Sequence, residues 1–394
     1  MAKIKTFKTR IYITPEIEHQ FNMGFGTRRW VWNWVVNQYF TEQVHLSNFK
    51  FDMMLNQLIR ENVEDYGWIL LVNTCIKTNA LKDFNTSLTR YYREIKQHKH
   101  DSAAFSKDKY QPKFQKKKND SQSFRISKKH ERMFSILGNK TFDFTWTKSH
   151  GRIKVRTREN IIFLKQKNIK EITIIKEAGK FFVCFSYENI NSENRQKGNG
   201  KIGLDLGVKH LFTSFDGHDF TVFNANNFSI INSQIAKLNK KMWRKVCNSK
   251  NYWKIVTQMQ KWYIKGLNIK KDQYYKTVVS LCRNYNTIIV DDFIYEHFLD
   301  KNREKGKIGR HAAIRRIQEV SPCLFKSILQ RKAEELGINL IFVKPGTPTT
   351  QTCSHCGCKV STRIELRDRT FRCNHCDFVF DRDKNAAINV FNYI

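Results

Sequence analysis

Residues 201–207 read Lys201-Ile-Gly-Leu-Asp-Leu-Gly, an apolar strand that carries a single acid, Asp205. Leu211-Phe-Thr-Ser-Phe and Phe220-Thr-Val-Phe follow at meander spacing, so this part of the chain opens with three strands. A long, strongly basic stretch over roughly 228–285 then reads as helical. Thr287-Ile-Ile-Val-Asp-Asp is a short apolar run, as expected of a buried strand. Phe325–Leu336 has helical periodicity, and Ile338-Asn-Leu-Ile-Phe-Val is another buried strand.

The resulting order, β-β-β-α-β-α-β, predicts an RNase H-like α/β domain beginning near Lys201. Three acids stand where acids are otherwise costly. Asp205 lies inside an apolar strand, Asp291 ends the run Ile288-Ile-Val, and Asp383 lies in Asp381-Arg-Asp-Lys-Asn-Ala-Ala-Ile-Asn-Val at the start of a helix. An isolated buried carboxylate is expensive. A pair of Mg²⁺ ions about 4 Å apart, clamping the attacking and leaving oxygens of a phosphodiester, would give all three a purpose. Gly203 and Gly207 flank Leu204-Asp205-Leu206 and would let a phosphate backbone come close. The plainer alternative stays open: Asp205 and Asp291 as strand-end turn acids, and Asp381 or Asp383 as a helix N-cap.

Cys353-x-x-Cys356 and Cys373-x-x-Cys376 are two knuckles separated by sixteen residues. Four thiolates so arranged make a closed tetrahedral set, which suits structural zinc and leaves no open position for chemistry. An iron–sulfur cluster is the lesser alternative. His355 and His375 lie inside the knuckles and read as hydrogen-bonding groups, and Cys358 is a spare thiol. The other cysteines are scattered, which suits a reducing compartment and small core positions.

Toward the amino terminus, Lys3–Ile13 alternates apolar and polar residues and reads as a strand. Thr14-Pro-Glu opens a helix expected to run to about residue 45, with Trp30, Trp32 and Trp34 at near-helical spacing. Residues 51–98 are helical in pattern, 99–122 are polar, basic and expected to be flexible, and Phe124–Glu188 returns to strands. These strands predict a small antiparallel sheet or barrel that the first strand completes. Across the 394 residues, 70 Lys plus Arg face 36 Asp plus Glu, a net +34. Such an excess calls for a polyanionic partner, and nucleic acid answers it through counterion release. No apolar run is long enough to span a bilayer. The start, Met1-Ala-Lys-Ile-Lys, lacks the apolar core of a signal peptide.

Several strings resemble the TnpB family, transposon-encoded relatives of the compact type V CRISPR effector nucleases. They are Gly203-Leu-Asp-Leu-Gly-Val-Lys, Ile288-Ile-Val-Asp-Asp-Phe, Thr349-Thr-Gln-Thr-Cys-Ser-His-Cys-Gly and Asp381-Arg-Asp-Lys-Asn-Ala-Ala-Ile-Asn. Phe7-Lys-Thr-Arg-Ile-Tyr-Ile-Thr-Pro-Glu, Phe25-Gly-Thr-Arg-Arg-Trp-Val-Trp-Asn-Trp and Tyr110-Gln-Pro-Lys-Phe-Gln-Lys-Lys-Lys extend the likeness over nearly the whole chain.

The resemblance implies an α+β multidomain architecture. A wedge-type β-barrel (1–50 with the first helix, and 106–195) is split by a helical recognition insert (51–105). A RuvC-like, RNase H-like domain (196–350 and the final helix 379–394) is interrupted by a zinc-ribbon target-nucleic-acid-binding domain (351–378). The implied activity is RNA-guided DNA endonuclease cleavage beside a short flanking motif, with a structural Zn²⁺ and two catalytic Mg²⁺ ions held by Asp205, Asp291 and Asp383. The implied partners are guide RNA, a double-stranded DNA target and its displaced strand, with no membrane and one copy per RNA. The implied location is the prokaryotic cytosol, at the nucleoid when bound.

Arg28, Arg29, Lys113, Lys116, Lys117 and Lys118 are candidate phosphate contacts, while Arg372 and Arg382 would steady the scissile phosphate. Family members usually have Glu where this chain has Asp291, one methylene shorter, and Mg²⁺ tolerates little geometric error. Asp292 and Glu296 are nearby acids that would compensate. A nuclease-inactive, RNA-guided DNA-binding repressor is therefore the alternative, and a transposase acting without RNA is a third class.

Overall fold

Period-2 patterning and two helix caps organise the first half of the chain. The computed structural model describes residues 3–97, 110–117, 122–130, 133–147, 149–189, 198–207, 209–224, 228–291, 314, 316–360 and 368–393. They fall into two units, Met1–Asn191 and Ser192–Ile394.

In the first unit, β1 (Lys3–Tyr12) leads to Thr14, whose extended backbone and hydroxyl cap α1 (Pro15–Phe40) by accepting from the Ile17 N–H. The helix stops at Phe40, short of the expected residue 45. Thr41 closes the last turn onto the Asn37 carbonyl, and Gln43 turns left-handed at φ 58°. Then come α2 (Asn48–Glu61), capped by Ser47, and α3 (Thr74–Gln97). The strands are β2 (Gln122–Ser127), β3 (Phe134–Gly138), β4 (Thr141–Thr147), β5 (Gly151–Thr157), β6 (Ile169–Glu177) and β7 (Lys180–Asn189).

With β1 these form one antiparallel sheet in the order β2-β6-β7-β1-β5-β4-β3. The first strand does complete it. Among the described residues no pairing joins the edges β2 and β3, so the expected barrel is an open half-barrel. It curls strongly: the Phe124 ring of β2 lies 5.8 Å from Trp146 of β4, with four strands between them in sheet order. Phe21 and Phe25 of α1 fill the hollow. Trp32 is buried, and Trp30 and Trp34 pack on the helical core, so these aromatics are interior.

Residues 112–117, expected to be loose, are strapped onto α1. Trp32 Nε1 donates to the Lys113 carbonyl at 2.9 Å, and Asn33 and Gln115 exchange two bonds of 2.7 and 3.0 Å.

The second unit holds β8 (Gly200–Leu206), β9 (Phe212–Phe215), β10 (Phe220–Phe223), α4 (Ser229–Trp243), α5 (Lys250–Asn284), β11 (Tyr285–Val290), α6 (Pro322–Leu336), β12 (Asn339–Phe342), the hairpin β13 (Thr370–Arg372) and β14 (Val379–Asp381), and α7 (Arg382–Phe391). The element order is the one read from the sequence. The single long helix expected over 228–285 is instead two, broken where Asn248 turns left-handed and Ser249 caps α5.

The five-stranded sheet runs β10-β9-β8-β11-β12, with β8, β11 and β12 parallel and β9 antiparallel to both its neighbours. Ile202, Leu204, Ile288 and Val290 face a core with Tyr274 and Val278 of α5 and Phe325 and Leu329 of α6. Alternation turns Gly203 and Ile289, which are register partners, to the opposite face, where Ile289 packs with Val390 of α7. No described helix is long and apolar enough to cross a membrane.

Candidate functional site

The same alternation carries Asp205 to the α7 face. Asp291, one residue beyond β11, continues the pattern of Ile289 and ties its N–H to the Leu204 carbonyl at 3.0 Å. Both acids thus sit at the carboxyl ends of adjacent parallel strands, where α/β sheets open their functional crevices. The third acid arrives on α7, which lies directly on β8. A Cβ built on Gly203 would fall 2.5 Å from the Phe391 nitrogen and 2.9 Å from the Ala387 carbonyl oxygen. The role read for this glycine is corrected accordingly: its missing side chain admits the backbone of α7, the space the sequence reading assigned to a phosphate.

Asp381 caps α7, accepting from the N–H groups of Asp383 at 3.0 Å and Lys384 at 2.9 Å, which frees Asp383 from capping. Arg382, itself buried, holds the Asp383 carboxylate from Nε at 3.0 Å and Nη2 at 2.8 Å, and Arg369 adds a contact at 3.3 Å. Asp291 Oδ2 accepts from the Thr349 hydroxyl at 2.9 Å.

Asp205 is only 7% exposed, and no hydrogen bond from a described residue reaches its carboxylate. Burial first, then the carboxylates of Asp291 and Asp383, hold the Asp205 carboxyl well above the usual carboxylate range, and Arg382 offsets this in part. A desolvated acid facing two others, with no donor among the described residues, suits hard divalent cations. The three acids do not close into a single-ion set: among the described residues, only two groups that include cysteine bring all their ligand atoms within 4.8 Å.

One of those groups is Cys353, Cys356, Cys373 and Cys376. The Sγ–Sγ separations of 3.7 Å (353–376) and 3.6 Å (356–373) match the edge of about 3.8 Å of a tetrahedron with 2.3 Å zinc–sulfur bonds. The two knuckles repeat one geometry. Gly357 and Asp377, each following a second cysteine, are left-handed, and the His375 N–H points at Cys373 Sγ. The N–H of Cys376 and then that of His375 pull the Cys373 thiol below its ordinary value, toward thiolate. The other group is Cys356, Cys358 and His375. The spare Cys358 also accepts the Cys353 N–H through its carbonyl, and the His355 ring stacks on Phe378.

Two asparagines bind the knuckle to α7. Asn385 is fully buried, donating to the Thr352 carbonyl at 2.8 Å and accepting the Ser354 N–H at 2.9 Å. Asn389 donates to the carbonyls of Thr349 and Thr352 at 2.7 Å each.

The basic candidates separate. Arg28 is committed within its own unit, to Asp83 at 3.1 Å and Gln115 at 3.3 Å, and burial draws the Arg29 guanidinium below its ordinary value. Lys113, Lys116 and Lys117 point outward from the strap. Arg372 is exposed on β13, and Arg369 meets Asp383 instead. Lys118, Asp292 and Glu296 lie outside the described residues. Sequence reasoning missed Arg369, Thr349 and Asn389. The last two stand inside the quoted strings, but spacing says nothing of what they touch.

The fold and site define a mixed α/β multidomain chain with a half-barrel sheet, an acidic cluster and a cysteine centre. Three family models match it: a Helix-turn-helix domain at residues 1–42, a "Probable transposase" at 183–302, and a Cas12f1-like, TNB domain at 324–390. Together they reach over more than half of the chain. The first model's name does not describe this geometry, since residues 3–40 are a strand and one helix.

Among relatives, "Putative RNA-guided DNA endonuclease InsQ" of Escherichia coli (strain K12) is 24% identical over 56% of this chain and 56% of its own length. A "Putative RNA-guided DNA endonuclease" of Streptomyces pristinaespiralis is 22% identical over 99% of this chain and 89% of its own. A "TnpB-like protein" of Methanocaldococcus jannaschii is 28% identical over 40% of this chain and 54% of its own. A solved Cas12f1-sgRNA-target DNA complex aligns over 99% of both chains at 14% identity and a TM-score of 0.35, too loose to carry a geometric argument. In these models and relatives the chain is similar to the TnpB family.

Proposed function

We propose that this chain is an RNA-guided DNA endonuclease whose nuclease centre is Asp205, Asp291 and Asp383 on an RNase H-like (RuvC) domain. The observation that carries this reading is Asp205: a carboxylate to which no described residue donates, raised by burial and then by two neighbouring acids, at the crevice end of a 3-2-1-4-5 sheet. The sheet order with an antiparallel second strand supports the RNase H-like assignment. The family models and the names of the relatives supply the substrate class.

Asp205 and Asp291 present hard oxygen ligands from strand ends, and Asp383 does so from the helix start, turned by Arg382 and Arg369. Asp205, Asp291 and Asp383 would hold two Mg²⁺ ions, which when bound would polarise a water and offset the charge that builds on the attacking and leaving oxygens of the phosphodiester. Cys353, Cys356, Cys373 and Cys376 hold one structural zinc ion, and the half-barrel with its helical insert serves as wedge and recognition region. Lys113, Lys116, Lys117 and Lys118 lie along the guide RNA or target backbone, contributing affinity without sequence information. Base pairing with the guide reads the target, and the protein reads a short flanking motif.

The full chain, isolated with the RNA that co-purifies from its host, should cut duplex DNA matching that RNA in the presence of Mg²⁺. Asp205→Ala should abolish cutting and leave DNA binding intact. Tight binding without cutting by the unaltered chain would identify the repressor, with Asp291 too short for the ions. Cutting or strand transfer without RNA would identify a transposase.

A further inference from the structure

The Thr349 hydroxyl donates to Asp291 Oδ2 at 2.9 Å, and its surroundings allow it little motion. Thr349 is 5% exposed, its N–H is tied to the Thr347 carbonyl at 2.9 Å, and its carbonyl receives Asn389 of α7 at 2.7 Å. Asn389 also grips Thr352, and Asn385 grips Thr352 and Ser354, the residues on either side of Cys353. Hydrogen bonds, joined by the backbone at Thr349, therefore link the residues flanking Cys353, through two asparagines of α7, to the Asp291 carboxylate.

We infer that Thr349 is a positioning residue for Asp291, and that the cysteine knuckle, through Asn385 and Asn389, holds Thr349 in place for that purpose. Asp291 and Asp205 end adjacent parallel strands, with the Asp291 N–H tied to the Leu204 carbonyl next to Asp205. A carboxylate at the end of a strand beside a second carboxylate keeps a fixed direction only where a donor holds it. The hydroxyl supplies that donor from a segment anchored at both ends. It also suits the short side chain of Asp291, whose reach leaves less room for error than that of Glu. Partners that orient metal-ligating carboxylates typically carry ten- to a hundredfold in affinity or activity.

This inference rests on the acidic cluster being a divalent-ion site, and the test separates the two. Mn²⁺ binding to the full chain, without RNA, is followed by the loss of the free-ion electron paramagnetic resonance signal. Zinc content and thermal melting without Mn²⁺ are measured in parallel. Thr349→Val should weaken Mn²⁺ binding about tenfold or more, with zinc content unchanged, and Thr349→Ser should restore most of it. If Val disturbs folding, Thr349→Ala against Thr349→Ser decides, since both lose the methyl group and only Ser keeps the donor. Equal Mn²⁺ affinity in the Ser and Ala variants overturns the positioning role. Unchanged Mn²⁺ binding in Asp205→Asn and Asp291→Asn sinks the divalent-ion site itself, whatever Thr349 does.

Discussion

Asp205 and Gly203 are neighbours on one face of β8, and each makes sense only through the other. Gly203 lets α7 settle onto the strand, and α7 brings Asp383 to Asp205. Gly203→Ala should therefore push α7 off the sheet, since the added carbon meets backbone that cannot rotate aside. Overpacking of this kind costs roughly 1–3 kcal/mol. Thermal melting should fall accordingly, and DNA cutting should fall further than stability alone explains. The two arginines on Asp383 differ in exposure: the Arg382 side chain is 10% exposed and that of Arg369 is 42%. Arg382→Ala strips a half-buried acid of its main partner and should destabilise by roughly 1–3 kcal/mol. Arg369→Ala should stay within about 1 kcal/mol, as surface pairs do. Equal losses in denaturant titrations would contradict this ranking. All three acids were legible as single residues. Their partners were not, because a hydrogen bond across 58 residues, such as Thr349 to Asp291, has no sequence periodicity.

Elements were legible where one face is buried. Strands β5, β6 and β7 follow the alternation Ile153-Lys-Val, Ile172-Thr-Ile and Phe181-Phe-Val because period 2 sorts core from solvent. Helix ends and straps were not, because they depend on single contacts. The strap at 112–117 looks like a loose basic loop in composition, yet α1 holds it through Trp32 and Asn33. Trp32→Phe keeps an aromatic side chain and removes the donor, so limited proteolysis should cut faster within 112–117 than the fall in melting temperature from the smaller side chain explains. An unchanged cleavage pattern would show that the strap is held some other way. At the other end of the chain, Asn385 ties α7 to the first knuckle from a fully buried position. Asn385→Ala leaves the Ser354 N–H unmatched and the Thr352 carbonyl with Asn389 alone, at about 1–3 kcal/mol. Zinc release to a chelator, followed with a colorimetric indicator, should accelerate relative to the unaltered chain.

For the whole molecule, the net charge of +34 makes a measurable demand. If phosphate neutralisation drives binding, the affinity for duplex DNA should fall linearly with salt on logarithmic axes, by about 0.9 per phosphate contacted. A flat dependence would mean that the excess charge serves something other than a nucleic-acid interface. Charge, cysteine spacing and strand alternation are properties of the chain itself. They were sufficient to expect a polyanion partner and to read the four-thiol centre and the order of strands around Asp205, because each depends on composition or on neighbours a few residues apart. Whether the barrel closes, what occupies the space beside Gly203, and which groups turn Asp291 and Asp383 depend on contacts between residues tens to hundreds of positions apart. Only the register of β8 on β11 and the seating of α7 on β8 bring those residues together, and packing selects that arrangement for the whole unit at once.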